Sequence, residues 1–484
     1  MPIKMSREEI RAIYQKGEDA VVGLIEMLID RINKLEEEVI ELKAKVNKDS
    51  HNSSKPPSSD MFRPPKSLRE KSGRHPGGQP GHEGRSLRQV EKPDHVKGHF
   101  LKGACECGRD LSKSKRRGYE RRQVFDIPKP VMEATEHRAE TKECACGRLH
   151  TAAFPKGVDA PVQYGPHIRS MLVYFSQYQL LPQKRIGEAM SDLFNAPISE
   201  GTVNKAIQEA YSRLEATEEA IKQAIQNSLV AHGDETGMYI GGERWWQHGF
   251  GTRLYSYFFC HRKRGKLALR DNGILERFIG RLVHDGWLSY FDIDCLHALC
   301  NAHHLRELIF LREECHQRWA GTMIKHLCHI KRVVDRAKAA GRKQLAPKTL
   351  LHYRQRYESI VASGNRANPP QINRKTSGSR GPIKQTAARN LLNRLGKYAD
   401  ETLAFMYDFQ IPFDNNLAER DLRMSKVKQK VSGCFRSLFG AQAFCRIRGY
   451  ISTVRKHDLN VFDQIFKCFD HTVNQPILLT VGRE

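Results

Sequence analysis

The sequence predicts a multi-domain α+β protein with a mixed α/β core. Three observations predict it. The chain has 484 residues, more than one ordinary domain holds. Its hydrophobic spacing changes along the chain, from a seven-residue repeat to strand-like runs and then to helical spacing. Stretches rich in Ser, Pro and Gly separate the first of these regimes from the rest.

Residues 1–48 come first. Ile25, Ile32, Val39 and Val46 fall seven apart, as do Val21, Leu28, Leu35 and Leu42. β-Branched residues at one core position with leucine at the other favour a parallel two-stranded coiled coil, so this segment predicts a homodimer. Residues 49–98 include NSSKPPSSD and GRHPGGQPGHEG. With little apolar side chain to offset ordering entropy, they predict a flexible basic linker.

Residues 99–150 hold two matched cysteine pairs, Cys105-Glu-Cys107-Gly and Cys144-Ala-Cys146-Gly. The glycine permits the sharp turn that aims backbone amides at sulfur. Four thiolates in two close pairs suit a tetrahedral structural zinc, so Cys105, Cys107, Cys144 and Cys146 are its candidate ligands. Each pair is C-x-C where the usual spacing is C-x2-C.

Residues 151–226 read as helical. IGEAMSDLF, NAPIS and EGTVNKAIQEAYSRL have helix-turn-helix proportions and make this a candidate DNA-binding region. Residues 227–470 open with SLVAHGDETGMYI, RWWQHGFG, RLYSYFFCHR and GRLVHDGWLSYF, which read as strands, with a helical LERFIGRL before the last. That is the β-β-β-α-β order of a ribonuclease H-like core. Helices resume over about 305–362, and 363–385 is a basic loop. Residues 386–470 are mostly helix, and 471–484 form a tail.

The net charge of +25 favours a polyanionic partner, since each neutralised phosphate releases condensed counterions. The opening MPIKMSREEI has no apolar signal core, and no run of about 18 apolar residues occurs. Twelve cysteines in such a chain predict reduced thiols. The expectation is a cytoplasmic, nucleoid-associated protein with no membrane partner.

Phosphoryl transfer on DNA relies on metal ions, typically two about 4 Å apart, more than on covalent chemistry. Hard cations such as Mg2+ or Mn2+ take carboxylate oxygens. Asp234 follows SLVAH and Asp285 follows RLVH, each read as the point where a strand meets a polar turn. Glu419 lies in DNNLAERDLR, a helix start that Asp414 or Asn415 can cap. Glu235, Asp292, Asp294, Asp414 and Asp421 are rivals on composition. Residues 422–456 hold nine Lys or Arg and no acid. Arg423, Lys426, Lys428 and Lys430 among them are candidates for phosphate contact.

GDET, HDGWLSY and NNLAERDLR, in this order, resemble the three acidic motifs of the insertion-sequence-66 family of bacterial transposases. NSSKPPSSD and GGQPGHEG resemble that family's linker, the cysteine pairs its zinc-binding segment, and LPQKRIGEAMSDLF its helical pre-catalytic segment. Cys300-Asn-Ala-His303 with Arg306 is similar to its C-x-A-H and arginine motif, with Leu305 where a second arginine is common. The resemblance implies a ribonuclease H-like DDE transposase with a helical insertion at about 305–385 and with Asp234, Asp285 and Glu419 as the triad. It implies two Mg2+ or Mn2+ per active site, a structural Zn2+, and DNA (element ends and target) as substrate. Some members act with small accessory proteins of the same element. The rival readings are an inactive homologue that only binds DNA and a nuclease without strand transfer. Cys300 and His303 form a second possible zinc group with Cys295, His297 or His304, and read first as packing at the base of the insertion.

Overall fold

The structure is a computed structural model that describes residues 5–49, 51–53, 87–128, 130–371, 383 and 385–470. α1 (Arg7–Gln15) opens on a capping box in which Ser6 and Glu9 satisfy each other's backbone amides. α2 (Glu18–Val46) is one continuous helix over the heptad region. It ends in a fixed turn. Asp49 Oδ1 accepts from the amides of His51 (2.9 Å) and Asn52 (3.1 Å). The start of the expected flexible linker is therefore ordered, because Asp and Asn side chains close the turn on themselves. The linker expectation over 54–86 lies outside the described residues.

β1 (Thr141–Glu143) and β2 (Leu149–Thr151) form a small antiparallel hairpin. Four helices follow: α3 (Pro166–Val173), α4 (Gln183–Phe194), α5 (Glu200–Arg213) and α6 (Glu215–Gln226). Ser199 caps α5 through the amide of Thr202, and Asn195 ends α4 in the left-handed region. The helix, short turn and second helix expected over 186–214 are thus present, at Gln183–Phe194 and Glu200–Arg213.

The central sheet holds β3 (Val230–Ile240), β4 (Glu243–Gly251), β5 (Ser256–His261), β6 (Arg281–His284) and β7 (Leu296–Leu299). Its order is β5-β4-β3-β6-β7, with β3, β4 and β5 antiparallel and β3, β6 and β7 parallel. β7 went unread in the sequence. The helix expected at LERFIGRL falls earlier, at α7 (Lys266–Asp271) and a short 3-10 turn, Leu275–Arg277. The reason is steric. A Cβ on Gly280 would stand 2.5 Å from Ser228 O, so the chain there runs against the start of β3 and enters a strand.

The insertion is α8 (Asn301–Glu313), α9 (Arg318–Ala339), α10 (Pro347–Ala367), α11 (Ala387–Lys397) and α12 (Ala399–Tyr407). Most of its basic loop, over 372–382 and 384, lies outside the described residues. Leu327, Ile330, Tyr357, Leu391 and Leu403 are fully buried in a core that includes Val283 and Ala298 of the sheet. α2's closing turn rests on this insertion, with Asn47 Nδ2 donating to Glu314 Oε2 (2.8 Å) and the Lys48 ammonium over the Phe310 ring. α13 (Asn416–Ser432), α14 (Leu438–Lys456) and α15 (Val461–Phe466) follow, α14 and α15 share one core with α3, α4 and α5, and the tail expected over 471–484 lies outside the described residues.

Candidate active site

Asp234 lies midway along β3, opposite Gly249 of β4. The expected strand end after SLVAH is corrected, because β4 pairs with β3 out to Ile240. The parallel half of the sheet does stop there, since β6 pairs only with Val230, Ala231 and His232. Asp285 is the first residue after β6, and Trp287 N–H donates to its Oδ1 (2.8 Å). Glu419 sits in the first turn of α13. Burial pushes the Asp234 carboxyl well above the usual range, and the charges of Glu235, Asp285 and Glu419 push it further. Asp285 and Glu419 therefore both stand within electrostatic reach of Asp234.

The rivals have other partners. Glu235 accepts from Tyr290 Oη (2.6 Å) and Arg264 Nε (2.8 Å), with its side chain 1% exposed. Asp292 pairs with Lys266 at 3.0 Å. Asp294 is exposed. Asp421 is not a surface acid, for it accepts from Ser256 Oγ (2.7 Å) and Lys456 Nζ (2.8 Å).

Asn415 carries a role that the sequence reading missed. It occupies the N-cap position of α13 without capping it, while Asp414 Oδ1 takes the amide of Asn416 (3.1 Å). The buried Asn415 Nδ2 donates to Gly233 O (2.8 Å), and its Oδ1 faces His232 Nδ1 (2.7 Å). The amide orientation puts the His232 proton on Nδ1. Burial holds that imidazole down at about 4, so it is neutral near pH 7. Asn415 N–H also donates to Cys300 Sγ (3.1 Å). One side chain thus ties the start of α13, and with it Glu419, to the strand beside Asp234. Only the doubled Asn of DNNLAE signals this in the sequence.

Glu419 Oε1 stands 3.3 Å from Arg306 NH2 and 3.8 Å from His303 Nδ1. Ligand atoms of Cys300, His303 and Glu419 lie within 4.8 Å of one another, and among the described residues no other three His, Cys, Asp or Glu form such a group. The partners expected for Cys300 and His303 are therefore corrected. His297 faces His284 (3.2 Å), and His304 faces Asn301 Oδ1 (3.4 Å).

The two cysteine turns have the same hydrogen bonding. Cys105 N–H donates to Arg109 O and Cys144 N–H to Arg148 O, both at 2.8 Å, and Gly108 and Gly147 turn the chain at φ of 80° and 79°. Backbone amides of Cys107 and Cys146 donate to the thiols of Cys105 and Cys144 and lower them. The turns do not draw all four sulfurs into one group.

On α13, Arg423, Lys426 and Lys430 are exposed and Lys428 is half-buried. The wider basic run is not one phosphate-facing surface. Arg446 NE donates to Glu218 (2.8 Å), Arg448 is 3% exposed, and Lys456 is held by Asp421. α14 packs inside the molecule, so Arg446 and Lys456 face internal partners, while Arg455 is exposed. Among the described residues no helix is long and apolar enough to cross a membrane.

Compared with known families, residues 161–443 match the one described as "Transposase IS66 family". Residues 5–88 match a family of unknown function (DUF6444). No curated protein matches the chain.

Proposed function

The chain belongs to the transposase IS66 family, whose match spans more than half of it, and from that premise we propose that it cuts and joins DNA at Asp234, Asp285 and Glu419. The observation that carries this reading is the setting of Asp234. Its carboxyl is destabilised by burial and by three neighbouring acids, and among the described residues no Lys or Arg pairs with it. A hard divalent cation fits that donor set better than any side chain present. Asp234, Asp285 and Glu419 would hold two Mg2+ or Mn2+ ions, which when bound supply an activated hydroxyl and a stabilised leaving oxygen.

The chain's own residues prepare the site. Asn415 locks α13 to β3 through Gly233 and His232. The Trp287 amide orients Asp285, and Arg306 steadies Glu419. The β5-β4-β3-β6-β7 order supports a ribonuclease H-like core. Exposed Arg423, Lys426 and Lys430, on the same helix as Glu419, support a DNA backbone lying beside the carboxylates. The matched turns support a structural Zn2+ on Cys105, Cys107, Cys144 and Cys146.

The test uses labelled DNA carrying the element's ends, with Mg2+ or Mn2+, and reads nicked and joined products. Asp234→Asn, Asp285→Asn and Glu419→Gln each lower both by on the order of a hundredfold or more, the scale for loss of one preorganised charged group. DNA binding survives, because each change removes a charge that repels phosphate. Asp292→Asn, on the surface, stays active. Near-wild-type cleavage by one folded triad variant removes that residue from the site, and nicking without joining makes the enzyme a nuclease.

A further inference from the structure

We propose that Cys300, His303 and Glu419 form a binding site for a thiolate-preferring divalent ion of the Zn2+ class, adjoining the carboxylate site and sharing Glu419 with it. The three residues come from two separate elements, the start of α8 and the first turn of α13. Their ligand atoms already lie within 4.8 Å of one another. Tetrahedral zinc, with bonds of about 2.0–2.3 Å, sets its ligands roughly 3.3–3.8 Å apart, so small side-chain rotations close the site. The His303 Nδ1 to Glu419 Oε1 separation is 3.8 Å as it stands.

Two further observations point to an ion. His303 Nδ1 is buried and has no hydrogen-bond partner, an arrangement that folded proteins rarely tolerate. Cys300 Sγ is fully buried yet accepts the amide of Asn415 (3.1 Å), the outer-shell pattern that steadies a ligating thiolate. Cys300 also occupies the N-cap position of α8, where negative charge is favoured. Without an ion, burial holds its thiol up at about 12. Binding therefore replaces the S–H bond by a sulfur–metal bond and releases one proton to solvent. Arg306 shares Glu419 Oε1, which has lone pairs for both.

A Cys, His and Glu set is softer than three carboxylates and selects against Mg2+. Three protein ligands leave a fourth position open, as in catalytic rather than structural zinc sites. Glu419 held by such an ion is withdrawn from the harder pair.

The experiment uses Co2+ as probe and the full chain with Cys105, Cys107, Cys144 and Cys146 changed to Ser. One equivalent of Co2+ is expected to give the visible bands of tetrahedral coordination and a near-ultraviolet thiolate band. Cys300→Ser removes the thiolate band, and His303→Ala weakens binding by at least about tenfold. Excess Mg2+ leaves the spectrum in place. Absence of the bands in the folded chain, or their persistence in Cys300→Ser, overturns the proposal. Should the four-serine chain fail to fold, the difference spectrum between the wild-type chain and Cys300→Ser decides the matter. The readout needs neither DNA nor cleavage, so it stands or falls apart from the strand-transfer reading.

Discussion

Asp234 is the acid whose charge the fold tolerates least, with burial and then Glu235, Asp285 and Glu419 all opposing ionisation. Its folded pKa lies above the unfolded value of 3.8, so the folded chain holds this proton more tightly than the unfolded one. Stability linked to the group is full below that unfolded value and is lost as pH rises through the folded pKa. At neutral pH without metal, Asp234 therefore destabilises the protein. Asp234→Asn is expected to stabilise the metal-free chain at pH 7.5, raising Tm by a few degrees, roughly the scale of a single substitution. The gain vanishes near pH 3.5, and added Mg2+ raises the Tm of the wild type more than that of the variant. Melting curves at the two pH values check this, and a lower Tm for Asp234→Asn at pH 7.5 would sink it. Asp234 and Asp285 stand out in the sequence because each follows an apolar run, whereas Glu419 is picked out by a helix start and the family resemblance. Asn415 does not stand out, since its partner His232 lies 183 residues away and an amide looks the same whether it caps a helix or locks one.

α2 shows how far an element can be read from its spacing. Ile25, Ile32, Leu35, Val39 and Leu42 are 44–60% exposed, a continuous apolar face without a partner among the described residues. Burying such a face contributes about 25 cal/mol per Å2, which favours pairing with a second copy. The closing turn on Glu314 sets α2 at the corner between α8 and α9, so a pair formed through α2 would bring two insertions into fixed relation. Deleting residues 1–48 is expected to lower the solution mass from dimer to monomer at micromolar concentration. Light scattering checks this, and an unchanged mass moves the contact elsewhere. Other elements were harder to read. β7 is four residues long, and LHAL gives no alternation to see. Gly280 reads as a helical interruption until its distance to Ser228 is known.

At the scale of the whole molecule, the sequence reading divided the chain by composition, and distant packing redraws the picture. α3, α4 and α5 share a core with α14 and α15, although more than two hundred positions of sheet and insertion separate them. No local signal reports that pairing. It also sorts the basic run at 422–456. Arg446 is held by Glu218 and stacks on Tyr211 at 3.8 Å, so it belongs to the fold. Arg423, Lys426 and Lys430 remain exposed on α13, with the Lys426 ammonium also donating to Gly237 O of β3.

This division separates two effects that the net charge of +25 would blur. Each cation seated on a phosphate releases about 0.9 counterion from duplex DNA, so log K falls with log salt by that amount per contact. Changing Arg423, Lys426 and Lys430 together to Ala is expected to weaken binding to every DNA sequence alike. It should flatten the salt slope by up to about 2.7, the sum of three contacts, with the melting temperature hardly changed. Arg446→Ala should do the reverse. It strands Glu218, whose carboxyl burial already raises, so it lowers the melting temperature and leaves the salt slope as it was. Binding isotherms at four or five salt concentrations, run beside thermal melts, give both numbers. A slope unchanged in the triple variant removes these three cations from the DNA interface. A loss confined to the element's own ends would show that these side chains read bases rather than phosphates.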